Sequence, residues 1–246
     1  YPRPELSTAQ NFLRILRSNK SFTEQEAHLL DLCLVLHAEH GGGNNSSFAC
    51  RVLSSSGTDT YSAISAAVGS LKGPRHGGAN IKVEEMFENI KASVKNPKDD
   101  GELSDYLLKI LKGEANDGSG LIYGMGHAIY TRSDPRAVML KRYAKSLAEA
   151  KGYLDDFELL ERIERLTPLV FNEYKKTDRA ICANVDLYSG LVYRMLDIPV
   201  ELYTPLFAVA RVAGWCAHRM EEYATARRII RPGYKCIERA RQYKPL

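Results

Sequence analysis

Apolar residues recur along this chain at three- and four-residue spacing, and no convincing alternating strand pattern is found. That is the period of helices with one buried face. Thr23 and Glu26 form a capping-box pattern ahead of Leu29, Leu30, Cys33, Leu34 and Leu36. Asp59 is placed to cap the small-residue run Tyr61–Leu71. Asn80 precedes a predicted helix from about Ile81 to Lys95, and Asn96–Gly101 reads as a polar loop. Leu103, Tyr106, Leu107, Ile110 and Leu111 continue the helical period. Asp134-Pro135 supplies a cap with proline at the first helical position, and Gly152 a stop. Phe157–Lys175, Asn184–Leu196 and a stretch from Thr204-Pro205 through Trp215 to about Tyr223 complete the set. The fold class predicted is all-α, without an internal repeat.

Three polar, glycine-rich breaks interrupt the helices, at 40–45, 73–80 and 113–127, and each carries a histidine. Loops held by a rigid helical frame are where ligand groups are expected. His28 and His218 fall on helix faces and read as structural.

Composition narrows the class. The 246 residues are 44% hydrophobic and 26% charged, ordinary for a globular protein with a sizeable core. No apolar run approaches the roughly 18 residues that span a bilayer, so no membrane partner is expected. Tyr1 is not an initiator methionine, and no signal-peptide pattern follows it, so we expect a fragment or processed product. The net charge of +4 is concentrated in a tail with Arg227, Arg228, Arg231, Lys235, Arg239, Arg241 and Lys244. The tail does not read as a nucleic-acid face, and arginines beside glycine turns suit small anions better. The five cysteines, Cys33, Cys50, Cys182, Cys216 and Cys236, show no CxxC spacing. They read as reduced thiols in a cytoplasmic-type compartment.

The breaks hold the candidate chemistry. In Gly73-Pro-Arg-His-Gly-Gly-Ala-Asn80, His76 is fixed in a turn just before a helix, where it can polarise a carbonyl or serve only as a turn residue. His37 and His40 stand one turn apart before Gly41–Asn44. They could ligate a metal, but a third ligand is missing, so no metal is expected. With Asn44 they could instead donate to a carboxylate or carbonyl. Gly124-Met-Gly-His127 lets the chain wrap a ligand, and Arg136 beyond it could clamp a carboxylate. Asp186 opens a mostly apolar helix, either as a first-turn acid or as a general base in a dry pocket. Arg211 interrupts Leu206–Trp215 and needs a partner, from the protein or from an anionic substrate. Arginines for a dicarboxylate, neutral histidines for a carbonyl and a carboxylate for a carbon acid together equip a site to join two acyl compounds.

Six separated segments resemble the citrate synthase family. They are HAEHGGGN at 37–44, GPRHGGAN at 73–80, GMGHAIYTRSDPRA at 124–137, NVDLYSG at 184–190, FAVARVAGW at 207–215 and IIRP at 229–232. The resemblance implies that His76 stabilises the enolate of acetyl-CoA, Asp186 removes the methyl proton and His127 polarises the oxaloacetate carbonyl. It places His40, Asn44, Arg136, Arg211 and Arg231 around oxaloacetate, with Arg231 reaching the partner subunit's site in a homodimer. It lays Leu121, Ile122, Tyr123, Gly124, Met125 and Gly126 along coenzyme A. It implies no cofactor beyond these substrates. It also implies a small domain at 79–189, closing on a large one formed by 1–78 and 190–246. A long N-terminal helical part of the family has no counterpart here, and 96–120 reads as a polar insertion. Three readings follow: citrate synthase, 2-methylcitrate synthase acting on propionyl-CoA, and a non-catalytic fragment that binds ligand or dimerises.

Overall fold

A computed structural model of the chain describes residues 1–127, 130, 132–225, 228–233, 235, 237, 238 and 242. Cys236 and the tail residues Arg227, Arg239, Arg241 and Lys244 lie outside them. The described residues fold into ten α-helices and one 3-10 turn: α1 Thr8–Leu16, α2 Glu24–Ala38, α3 Asn45–Ser55, α4 Thr60–Leu71, α5 Ala79–Ser93, α6 Asp100–Leu111, α7 Pro135–Lys151, α8 Leu154–Lys175, α9 Asp186–Met195, the 3-10 turn Val200–Leu202, and α10 Tyr203–Thr225. No strand forms among the described residues, and a single isolated bridge joins Met125 to Ala183. None of their helices is long and apolar enough to cross a membrane.

The caps read from the sequence form as expected. Thr23 and Glu26 close a reciprocal capping box on α2, Asp59 accepts from Ser62 N–H at the start of α4, and Asp134 caps α7 with Pro135 behind it. Gly152 ends α7 in the left-handed conformation. The last helix of the 73–95 region starts earlier than predicted, because Gly78 caps it and Asn80 is buried within its first turn. Helices α1 and α3 were not anticipated. The buried face of α3 is serine and cysteine, which hides its period, whereas α1 carries Ala9, Phe12, Leu13 and Leu16 at helical spacing over only nine residues; α1 packs on α2, and α3 on α4.

A large core joins α1, α2 and α5–α9 around Leu30, Phe87, Phe157, Leu187 and Tyr188, all fully buried. Cys50, Ala63, Ala67, Leu71 and Trp215 form a smaller one between α3, α4 and α10. Within the 96–120 stretch, α6 packs on α8 and fully buries Leu103, Leu107 and Ile110. Cys33, Cys50 and Cys182 are buried thiols and Cys216 is partly exposed; all four are unpaired. Helix α10 lies across α2, α3 and α4, and that crossing sets the site.

Candidate active site

Arg211 of α10 is the charge around which the site is arranged. Its side chain is fully buried. Nε donates to the carbonyl of His37 at 2.5 Å, and the guanidinium stands 4.8 Å from the Phe207 ring. Nη1 has no hydrogen-bond partner, and no carboxylate comes within ion-pair distance of the group among the described residues. Burial pulls its pKa down to about 10, which still leaves it charged at neutral pH. The same charge acts on His37, His40, His76 and Asp186, so all four lie around it.

The two loop histidines meet. His40 Nε2 and His127 Nε2 are 3.2 Å apart with the rings edge-to-face. The backbone N–H of Tyr130 donates to His127 Nδ1 at 2.9 Å, which puts the proton of the neutral ring on Nε2. Arg136 Nη2 lies 3.4 Å from that same nitrogen. An oxygen placed there would meet N–H donors from both His127 and Arg136. Buried Asp134 holds Arg136 in place through both carboxylate oxygens while capping α7. Burial, Arg136 and then His127 pull the pKa of His40 down to about 4. Burial also lowers His127, against the opposing pull of Asp134.

His76 is fixed by its turn and by a network. Its N–H bonds to Gly73 O, and the N–H of Gly77 bonds to Leu71 O. A Cβ at Gly77 would stand 2.2 Å from Leu71 O, so only glycine allows this approach. The N–H of Ser46 donates to His76 Nε2 at 3.3 Å, leaving Nδ1 as the protonated nitrogen of the neutral ring. Ser46 Oγ lies 3.0 Å from the same nitrogen, donates to Asn44 Oδ1 and accepts from Trp215 Nε1. Asn44 thus belongs to the His76 support. Burial and then Arg211 hold His76 below the usual imidazole range.

Asp186 opens α9, its N–H accepted by Asn184 Oδ1. Asn184 also ties the 124–126 loop down, with its N–H on Gly124 O and Nδ2 on Gly126 O. Gly124 sits at φ +79°, and a Cβ there would meet Leu187 at 2.9 Å. This clamp brings the loop carrying His127 against the start of α9. Asp186 keeps part of its surface open, yet protein crowds its carboxyl. Burial pushes its pKa up to about 6, with Arg136 and Arg211 opposing and Asp134 reinforcing.

Leu121, Ile122, Met125 and Gly126 line a cavity of about 160 Å³ with Phe171, Arg179 and His127. Tyr123 and Gly124 do not line it. Tyr123 donates to Asp117, and Gly124 packs on α9. Arg231 is exposed, and it makes no hydrogen bond or ion pair with the described residues. Nor does any group of three metal-ligating side chains assemble among them. His37 is not a second loop donor. It is buried in α2, bonded through Nδ1 to Cys33 O, and burial pulls its pKa down to about 4.

A family model described as citrate synthase, C-terminal domain, matches residues 1–233. The chain belongs to the citrate synthase family. It is 42% identical over 231 residues to the citrate synthase of Synechocystis sp., covering 94% of this chain and 53% of that protein. To the citrate synthase of Deinococcus radiodurans it is 39% identical, covering 94% and 56%. Among solved structures it is similar to the ternary complex of carboxymethyl coenzyme A and oxaloacetate with the citrate synthase of Thermoplasma acidophilum. That likeness has a TM-score of 0.79 at 30% identity, over 99% of this chain and 60% of the other. The citrate synthase homologue described here thus spans a little over half the length of these relatives.

Sequence reasoning missed Ser46, Tyr130 and the site role of Asp134. Asp134 was legible only as a helix cap. Ser46 and Tyr130 donate through backbone N–H groups, and the Ser46 hydroxyl acts through partners distant in sequence, neither of which a local side-chain pattern reports.

Proposed function

We propose that this chain carries the condensation site of a citrate synthase, joining acetyl-CoA to oxaloacetate and releasing citrate and coenzyme A with water. One observation carries the reading: a fully buried arginine without a carboxylate partner among the described residues, ringed by neutral histidines and by a carboxyl lifted to about 6. A buried cation of this kind is complementary to an anionic ligand. Oxaloacetate would set its carboxylates on Arg211 and Arg136, and its carbonyl oxygen at His127 beside His40. Ionised Asp186 would take a proton from the methyl of the thioester. The Nδ1–H of His76 would stabilise the enolate oxygen, and the enolate carbon would attack the polarised carbonyl. Water then cleaves the citryl thioester. The 121–126 loop and the cavity beside it suit the carrier of the thioester, and the reaction needs no cofactor. The similarity to the Thermoplasma protein in ternary complex with carboxymethyl coenzyme A and oxaloacetate supports this assignment. We read the protein as a cytoplasmic homodimer, with 79–189 closing on the remainder.

The test is thiol release with oxaloacetate and acetyl-CoA by the natural polypeptide that carries this chain, with propionyl-CoA compared in parallel. Asp186→Asn should abolish release and leave oxaloacetate binding, read by calorimetry, within about threefold. Absence of release with either thioester by the unmodified protein would overturn the reading; faster release from propionyl-CoA would reassign the substrate. Arg231→Ala should inactivate, and mixed dimers with Asp186→Asn should regain activity if Arg231 acts across the interface.

A further inference from the structure

Helix α10 grips the end of α2 at three points, and only the first belongs to the site described above. Arg211 takes the carbonyl of His37. One turn on, Gly214 lies so close that a Cβ would stand 2.2 Å from Ala38 O and 2.7 Å from Glu39 Oε2. A turn further, His218 Nε2 lies 3.0 and 2.9 Å from the two carboxylate oxygens of Glu39. Glu39 closes the grip from the other side, since its carboxylate also accepts the N–H of Gly41. Gly42 rests against the same imidazole, 3.1 Å from where its Cβ would be. Glu221 Oε2 faces the other ring nitrogen of His218 at 3.6 Å, and Arg51 approaches Gly42 from α3. The residue between Glu39 and Gly41 is His40.

We propose that the Glu39–His218 pair is a positioning latch that pins the 39–44 loop to α10 and so sets the His40 ring against His127. Glu39 and His218 are positioning residues: neither contacts a reacting group, and their bond acts through His40, while the Glu39 charge also favours the charged form of Arg211. Held by backbone and side chain together, a one-residue loop shift is excluded, and the two rings stay in register with Arg211 on the same helix. Because His40 belongs to the dicarboxylate side of the site, the latch acts on oxaloacetate and leaves the thioester alone. This rests on the condensation reading, so the test needs a readout independent of turnover.

The experiment is kinetics and ¹⁵N-histidine NMR on the natural polypeptide, with His218→Ala, His218→Gln and Glu39→Gln. His218→Ala should raise KM for oxaloacetate about tenfold, since ångström misplacements cost one to two orders of magnitude, and leave KM for acetyl-CoA within about twofold. His218→Gln, which keeps a donor, should recover most of the loss. The resonances of His40 and His127 should move in His218→Ala and in Glu39→Gln, and stay put in His28→Ala, whose side chain is exposed on α2. Unmoved His40 resonances would overturn the latch, as would equal rises in both KM values with a lowered melting temperature. If the unmodified protein turns over neither thioester, the condensation reading falls and the latch is decided by the resonances alone. Glu39→Gln, at an exposed position, keeps the question open to measurement if His218→Ala does not fold.

Discussion

Helix α10 buries two arginines about two turns apart and treats them in opposite ways. Arg219 is satisfied on every side. It donates to Thr60 Oγ1, Ser54 Oγ, Thr58 O and Tyr223 OH, and stacks on the Tyr223 ring. Among the described residues Arg211 has one hydrogen bond, an orphaned Nη1 and no carboxylate within ion-pair distance. A guanidinium has five donors in a fixed fork. Filling them with neutral acceptors makes a structural tie between α10, α3 and the turn before α4. Leaving them open inside the protein keeps a cation that only an anion from outside can complete. The difference separates an arginine that serves the fold from one that serves a ligand, on the same helix and at similar burial.

The sharpest way to break this comparison is to remove each guanidinium in turn. Arg211→Leu should lower oxaloacetate affinity by about 10²–10³, the cost of losing charge-assisted contacts to a carboxylate. Its stability should change by no more than about 1 kcal/mol, because the lost bond to His37 O is offset by relief of a buried unpaired charge. Arg219→Leu should do the reverse. It should cost about 2–4 kcal/mol of stability through four stranded partners, and leave KM for oxaloacetate where it was. Calorimetric binding and denaturant titration of both variants decide it. A large stability loss in Arg211→Leu with intact binding would reverse the assignment.

Only one of the two arginines was legible in the sequence, and the reason is physical. Arg211 breaks an apolar run, so its burial follows from the helical period, and burial demands a partner. Arg219 sits in His218-Arg-Met-Glu-Glu, which reads as a solvated helix end, and its acceptors come from residues 54–60, distant in sequence. The same rule divides the rest of the molecule. Caps at Thr23, Asp59 and Asp134 are local chemistry and were readable. The His40–His127 contact joins residues 87 apart, so nothing local predicts it; the resemblance of the motifs does. His37 misled because spacing on a helix does not tell which of two histidines the core will claim.

A smaller effect sharpens the contrast further, because the carboxyl and histidines of the site surround Arg211 and not Arg219. The contacts of Arg219 are hydroxyls and one carbonyl, whereas Arg211 acts on Asp186, His37 and His40. Asp186, lifted from near 4 to about 6, holds its proton more tightly in the folded state. Stability therefore falls as pH rises through that window. His37 and His40, pulled from about 6.5 to about 4, hold theirs more weakly, so they make stability rise with pH between 4 and 6.5. In the intact protein the two slopes oppose each other. Removing the Arg211 charge should raise all of these groups, which steepens the Asp186 slope and flattens that of the histidines. The two histidines outweigh the one aspartate, so the melting temperature of the unmodified protein should rise between pH 5 and pH 7, and that of Arg211→Leu should rise less or fall. Arg219→Leu should trace the unmodified curve, displaced downward and parallel. Parallel curves for both variants would mean that Arg211 does not organise the charges of the site, and the two arginines would differ in their bonds alone.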